Sequence, residues 1–343
     1  MTHPPFSSSC KPYASLIVVT YNSAATLPAF FTALAAAGDR DVEVIVVDNA
    51  SRDGTAALAR RLWPGARVIA SADNLGFGRA CNLGARAARG DLLIFLNPDV
   101  YVTPGWLATL ARHLAERPDA AIICPQTWEP GAIDQGLGAR DQGDTGAGRQ
   151  GDGAISPQPL ATSPQPPTAA VTPPVEESAA VPGCAMMISR RAWEALGGFD
   201  EQIFLYWEDI ELCWRAWLLG WCVLSDLEAA VVHERGGSGG GGGWDAERAK
   251  NSLYTYLKLM RWRRVVPFAT RLALVSLAKA ATGRGRGLGA AWAWNWRNLG
   301  GTLARRREIA RRRRGDPAAL ERLAAAHERR QRRERRERDR VTR

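Results

Sequence analysis

Apolar residues in the first third of the chain arrive in short runs separated by stretches of helical spacing. Ser15–Thr20 and Val42–Asp48 are β-branched apolar runs that end in polar residues, and Leu27–Ala37 between them carries apolar side chains at helical intervals. The alternation continues. Gly54–Leu62 predicts a short helix, Arg67–Ala70 a strand, Arg79–Ala88 a helix, Asp91–Asn97 a strand, Trp106–Arg117 a helix and Ala120–Cys124 a strand. Short buried strands feeding directly into helices predict an α/β fold with a mostly parallel central sheet and helices on both faces. Ligands of such sheets gather outside the carboxyl ends of the strands. Those ends carry Thr20-Tyr21-Asn22, Asp48-Asn49-Ala50-Ser51 and Asn97-Pro98-Asp99.

The pattern lapses from about residue 131 to 180, where Gly, Pro, Gln, Ser, Thr and Ala dominate and a flexible insertion is expected. It resumes with a strand at Met186–Ser189, a helix from Arg191, a Trp-rich helix at Glu208–Leu219 and a strand from Val223 to Val232 that leads to His233. The glycine run Gly236–Gly243 follows, then helices from Ala246 to Arg307 with interleaved Trp and Arg. Ala318–Arg343 reads as a charged helix or a disordered tail.

With 343 residues, 46% of them hydrophobic, the chain can bury one large α/β core or two ordinary ones. The net charge of +10 suggests a nucleic-acid partner until its placement is checked. Residues 305–343 hold 17 Arg against 7 acidic residues, whereas residues 1–304 balance 28 basic against 28 acidic. A neutral body without a recognised nucleic-acid module makes that partner unexpected. Six cysteines without a Cys-x-x-Cys pair, and no charged-then-apolar leader, point to a reducing cytoplasm. The stretch Val265–Ala281 is interrupted by Pro267, Arg271 and Lys279 and falls short of the roughly 20 apolar residues a membrane span needs, so no span is expected.

The blocks Val18–Asn22, Val46–Thr55, Asn74–Asn82, Asn97–Asp99, Gly183–Ala185, Gly198–Glu201, Trp207–Asp209 and His233 follow one another in an order and spacing that resembles family 2 glycosyltransferases over about residues 15 to 240. The Asn-Pro-Asp and Trp-Glu-Asp forms are most similar to those of bacterial rhamnosyltransferases. The resemblance implies a GT-A fold with a C-terminal helical region. It also implies inverting transfer of a sugar, with rhamnose the candidate, from a dTDP- or UDP-linked donor to a hydroxyl of a cell-surface glycan or lipid-linked precursor. On that reading the chain divides into an N-terminal extension (1–14), a nucleotide-sugar-binding half (15–125), the insertion (126–181), an acceptor or catalytic half (182–245), amphipathic helices (246–304) and the Arg-rich tail (305–343).

The roles implied for single residues have ordinary structural alternatives. Tyr21 and Asp48, beside Thr20 and Asn22, would hold a pyrimidine base by stacking and by accepting its ring N–H; a core Tyr and a helix-capping Asp are the alternative. Asn74, Gly76, Gly78 and Asn82 would form the diphosphate loop, although Gly-x-Gly also suits a helix-packing turn. Asn97-Pro98-Asp99 stands where the family usually shows Asp-x-Asp, the holder of Mg²⁺ or Mn²⁺ on the diphosphate; Asp99 is its one charged ligand and the tripeptide also suits a turn. His233 would be a second metal contact and Gly236–Gly243 a lid, while His3, His113 and His327 read as structural or solvated. Glu208, Asp209 and Glu211 crowd the first turn of one helix, which favours acids through its dipole. The resemblance makes Asp209 the general base and Glu208 a positioning residue. Trp262, Trp292, Trp294 and Trp296 among Arg261, Arg263, Arg264 and Arg297 suit either peripheral contact with the inner face of the cytoplasmic membrane or plain helix packing. A nucleic-acid-binding tail and an inactive scaffold, the latter prompted by Asn97, are the competing functions.

Overall fold

The computed structural model describes residues 12–129, 174–234 and 244–341. The first four strands alternate with helices and a short fifth follows the fourth directly: β1 (Ala14–Thr20), α1 (Leu27–Ala37), β2 (Val42–Asp48), α2 (Thr55–Leu62), β3 (Arg67–Ala70), α3 (Phe77–Ala87), β4 (Leu92–Leu96), β5 (Val100–Val102), α4 (Trp106–Glu116) and β6 (Ala120–Trp128). Beyond the undescribed stretch come β7 (Val175–Glu177), β8 (Ala185–Ser189), α5 (Arg190–Leu196), α6 (Glu208–Leu218) and β9 (Cys222–His233). Five helices complete the chain: α7 (Trp244–Leu259), α8 (Trp262–Ala281), α9 (Leu288–Arg297), α10 (Leu299–Arg312) and α11 (Pro317–Val341).

The nine strands of the described residues join one sheet in the order β3-β2-β1-β4-β8-β6-β9-β5, with β7 on β9. The expectation of a mostly parallel sheet holds for β3-β2-β1-β4, where every pairing is parallel. The other half is mixed, because β8 runs antiparallel to both β4 and β6, and β5 and β7 run antiparallel to β9. Every residue of β1 is buried, which explains its unbroken apolar run. Its alternate side chains serve two layers: Leu16 and Val18 pack with Phe30, Phe31 and Leu110 of α1 and α4, whereas Ile17 and Val19 pack with α3, α5 and α6.

The proposed insertion at 126–181 loses both margins to the sheet. β6 continues to Trp128, and β7 pairs with Leu224–Asp226 of β9 before Ala179, Ala180 and Val181 enter the core. Residues 130–173, the centre of that segment, lie outside the described residues, as do residues 1–11 and the glycine run 236–243. Strands β5 and β7 escaped the sequence reading because three residues carry too little periodicity to register.

Of the two readings left open for the Arg-rich segment, the structure has the helix, and that helix is docked with the one before it. Ile309 of α10 and Leu320 and Ala324 of α11 are buried against Trp214 and Leu218 of α6 and Tyr256 of α7. The N–H groups of Arg314 and Gly315 donate to the Leu218 carbonyl at 3.1 Å, closing the end of α6. Glu321 receives Arg261 at 2.6 Å and also pairs with Arg263, so some of the arginine-rich surface is locally neutralised. A chain ending at residue 304 is therefore expected to melt about 5 °C or more below the full chain, since burying each of Ile309 and Leu320 contributes about 1.5–3 kcal/mol. Melting within about 1 °C of the full chain, by calorimetry, would show that the docking adds nothing. Among the described residues no helix is long and apolar enough to cross a membrane.

Candidate active site

The parallel register Thr20↔Asp48 brings the ends of β1 and β2 side by side. Asp48 is buried at 4% exposure and its Oδ1 accepts the Thr20 hydroxyl at 3.3 Å, whereas Tyr21 next to them is 53% exposed and belongs to no core cluster. A buried carboxylate beside an exposed aromatic ring can hold a planar base. Asn22 adopts a left-handed backbone (φ 51°); its N–H donates to Ser51 Oγ and its Oδ1 accepts from the Arg52 N–H, both at 2.9 Å. It cross-ties the two loops.

Asn49, which the sequence reading passed over, builds the next wall. Its Nδ2 donates to Asn74 Oδ1 at 2.9 Å and its Oδ1 accepts from the Leu75 N–H at 2.7 Å. Asn74 Oδ1 also accepts the Gly76 N–H at 3.0 Å, so the loop into α3 is fastened to the end of β2. Gly76 is obligatory there: its φ is +79° and a Cβ would lie 2.2 Å from the Phe204 carbonyl oxygen, which also accepts the Phe77 N–H. Gly78 faces Phe199 and Glu208. Asn82, expected at the nucleotide, is instead a strut. It is buried, its Nδ2 donates to the Phe199 carbonyl at 3.0 Å and to Glu201, and its Oδ1 accepts the Phe199 N–H at 2.9 Å. With both ends of its amide engaged, it fixes α3 to the turn before α6.

Asn97 follows β4, and its N–H donates to the Cys184 carbonyl at 2.9 Å. The register Val100↔His233 between β5 and β9 then sets His233 Nε2 at 3.4 Å from Asp99 Oδ2. Asp99 Oδ1 is buried with no partner, a donor-starved oxygen that fits a hard cation. Hydrogen bonds to Asp99 and Cys184 push His233 up to about 10, so a cation binding its ring has to displace a proton. Among the described residues no three His, Cys, Asp or Glu side chains cluster at ligand spacing, so a cation at Asp99 and His233 would have two side-chain contacts at most.

α6 begins abruptly, with Tyr206 and Trp207 both in left-handed conformation (φ 66° and 77°). That turn aims the two adjacent carboxyls at different walls. Glu208 lies over Gly78 at the start of α3, with Oε2 buried and unpartnered. Asp209 faces Gly183, whose N–H donates to Asp209 Oδ2 at 3.1 Å, while Oδ1 accepts the Ile210 N–H at 2.7 Å. A Cβ at Gly183 would come within 3.2 Å of Asp209 Cβ. Burial, and then the charge of Asp209, push Glu208 up to about 8. Burial also raises Asp209, but the N–H groups of Ile210 and Gly183 oppose the shift. Burial thus pushes both carboxyls up, and Asp209 is the one that accepts the N–H groups of Gly183 and Ile210.

Glu211, grouped with them in the sequence, does a structural job. It is fully buried, bridged by Arg215 at 2.8 Å and by Lys258 of α7 at 2.6 Å. Lys258 also reaches Asp200 at 2.5 Å, and Tyr254 donates to the same carboxylate. The Glu211–Arg215 spacing of one helical turn was a legible signal; Lys258, 47 residues away, carried none.

Residues 15–142 match the glycosyl transferase family 2 model. The N-acetylglucosaminyl-diphospho-decaprenol L-rhamnosyltransferase of Mycobacterium tuberculosis is 29% identical over 239 residues, covering 66% of this chain and 77% of that protein. Among solved structures, a mannosyltransferase from Pyrobaculum calidifontis in complex with GDP-Man and Mn²⁺ superposes with a TM-score of 0.53 at 17% identity, over 88% of this chain and 87% of that one. GalNAc-T7 with UDP, GalNAc and Mn²⁺ gives 0.55 at 20% identity, over 73% of this chain and 48% of that one. These likenesses converge on one part of the chain and one fold: residues 15–142 carry a glycosyl transferase family 2 domain, and the described residues share the GT-A fold of the two solved transferases.

Proposed function

We propose that the protein transfers a sugar, rhamnose by its similarity to the mycobacterial enzyme, from a dTDP- or UDP-linked donor to a hydroxyl of a lipid-linked glycan precursor, with inversion at the anomeric carbon. The observation that supports the reading is the adjacent pair Glu208 and Asp209 at the start of α6: Glu208 Oε2 is buried without a partner over the loop into α3, and Asp209 Oδ2 accepts the Gly183 N–H at 3.1 Å. Tyr21 stacks on the base and Asp48 accepts its ring N–H, while Asn74 and Gly76, braced by Asn49, shape the diphosphate wall. Asp209 takes the proton of the acceptor hydroxyl, whose oxygen bonds to the anomeric carbon as the bond to the nucleotide diphosphate breaks. Glu208, protonated, keeps a second negative charge away from the departing diphosphate. A Mg²⁺ or Mn²⁺ ion held by Asp99 and His233 would neutralise that diphosphate. The work is placed at the cytoplasmic face of the membrane, where the exposed Trp262, Val266, Leu274 and Leu277 of α8 give an apolar surface flanked by arginine.

Thermal-shift titration of the full chain with UDP- and dTDP-sugars plus Mn²⁺ tests the reading, because a bound donor raises the melting temperature by mass action. One nucleotide class is expected to stabilise, and Asp99→Ala to remove most of the Mn²⁺-dependent part. Stabilisation by neither class would sink the donor assignment; an Asp99→Ala protein with unchanged Mn²⁺ dependence would move the cation elsewhere.

A further inference from the structure

A cavity of about 360 Å³ lies on the far side of α6 from α3, walled by α6, α7, α8, α11 and residues 179–180. None of its C-terminal walls falls within the stretch matched by the family model. Its apolar side is a continuous aromatic sheet. Tyr256 and Phe268 stack at 3.8 Å between ring centres, and Trp207 and Trp214 abut Tyr256 at 6.1 and 5.3 Å. Its polar side is mainly cationic. Arg264 meets Glu328 at 3.3 Å but keeps a buried Nε with no partner, and Arg271 has no ion pair among the described residues. Trp214, nearly fully buried on the same wall, holds an indole N–H without an acceptor. A closed apolar core would not leave two donors and an unpaired guanidinium around an open space.

Two further facts join the cavity to its surroundings. Trp207 and Ile210, which flank the Glu208–Asp209 pair, line it, and His327 of α11 stands on the same wall. α8 contributes Pro267, Phe268 and Arg271 to the cavity, and Val266, Leu274 and Leu277 to the exposed surface.

We propose that this cavity binds an anionic amphiphile, the phosphate-bearing end of the acceptor lipid, with Arg264 and Arg271 gripping the phosphate and the hydrocarbon chain lying along Trp207, Tyr256 and Phe268 toward the exposed face of α8. The assignment rests on the glycosyltransferase reading for the identity of the ligand as acceptor. Arginine suits phosphate because its planar fork donates two hydrogen bonds at once. Glu328 neutralises one of the two guanidinium groups, and the charge left over matches an anion. The acceptor's sugar hydroxyl is then presented on the Asp209 side of α6, with the lipid leaving along the helix that faces the bilayer.

Calorimetry on the full chain, with EDTA present and no nucleotide, tests this with three probes: farnesyl diphosphate, farnesol and inorganic pyrophosphate. Farnesyl diphosphate is expected to bind at least tenfold more tightly than either fragment. Arg271→Gln, at an exposed position with no ion pair among the described residues, is expected to weaken it roughly 10- to 100-fold, the usual span for a charged hydrogen bond. Nucleotide affinity, measured separately with Mn²⁺, should stay unchanged. Equal binding of farnesol, equal binding of pyrophosphate, or an Arg271→Gln protein that binds farnesyl diphosphate like the wild type would each overturn the proposal. Amphiphile binding as expected with no nucleotide binding would uphold the cavity and sink the transferase reading.

Discussion

Asp209→Asn is expected to reduce sugar transfer by about 10²–10⁴ while leaving donor affinity near that of the wild type. The substitution keeps the shape that Gly183 admits and can still accept the Gly183 N–H through its amide oxygen, so the fold of the turn survives. What it removes is the capacity to take a proton. Glu208→Gln is the discriminating control. Because Glu208 already holds its proton near neutral pH, an amide there mimics the working state and turnover should fall far less. The same control has a stability signature. A carboxyl raised from 4.5 to about 8 leaves folding unpenalised below about pH 4.5 and costs progressively more as pH rises toward 8, because the folded state resists the ionisation that the unfolded chain allows. Glu208→Gln should therefore gain stability relative to the wild type across that window and not below it. Turnover lost in Glu208→Gln and kept in Asp209→Asn would exchange the two roles.

The chemistry-bearing segments were legible in the sequence because strand ends must be polar where the sheet meets solvent, and Thr20, Asp48 and Asp99 announce themselves against apolar runs. The parallel half of the sheet was legible for the same reason. The boundaries of α1 and β2 fall where the pattern puts them, and Gly38 closes α1 in a left-handed cap. The mixed half was not legible: β8 is an apolar run like any other, and nothing local in Ala185–Ser189 states that it enters antiparallel between β4 and β6. Asn82 misled because a buried amide and a ligand-binding amide look alike until their partners are known. The arginine-rich end misled in the opposite direction. Its charge suggested a solvated helix or tail, and the few apolar residues that dock it, Ile309, Leu320 and Ala324, are sparse among the arginines that surround them.

Lys258→Met is expected to destabilise the protein by about 3–5 kcal/mol, far more than the roughly 0–1 kcal/mol expected from a surface pair such as Arg112–Glu116. The difference lies in burial. Lys258, Asp200 and Glu211 have side chains that are at most 8% exposed, and removing the cation strands charge with no water to take it. Arg215 still covers Glu211, so the larger loss falls on Asp200, which retains the Tyr254 hydroxyl and the Gln202 N–H. Burial would raise Asp200, yet the Lys258 charge and these hydrogen bonds hold it down at about 2. Its contribution is thus complete above the ordinary carboxylate value of 3.8 and drains as pH falls toward 2. Acid unfolding of the wild type should carry that step, and in Lys258→Met the step should shrink. Since Lys258 is on α7 while Glu211 is on α6 and Asp200 precedes it, the variant should also raise hydrogen exchange in the first turns of α6, where Asp209 sits. A Lys258→Met protein with wild-type stability at pH 7 would mean that well-packed apolar volume replaces the network without loss. The helices beyond β9 would then brace the Glu208–Asp209 turn through the aromatic contacts of Trp207, Trp214 and Tyr256 alone.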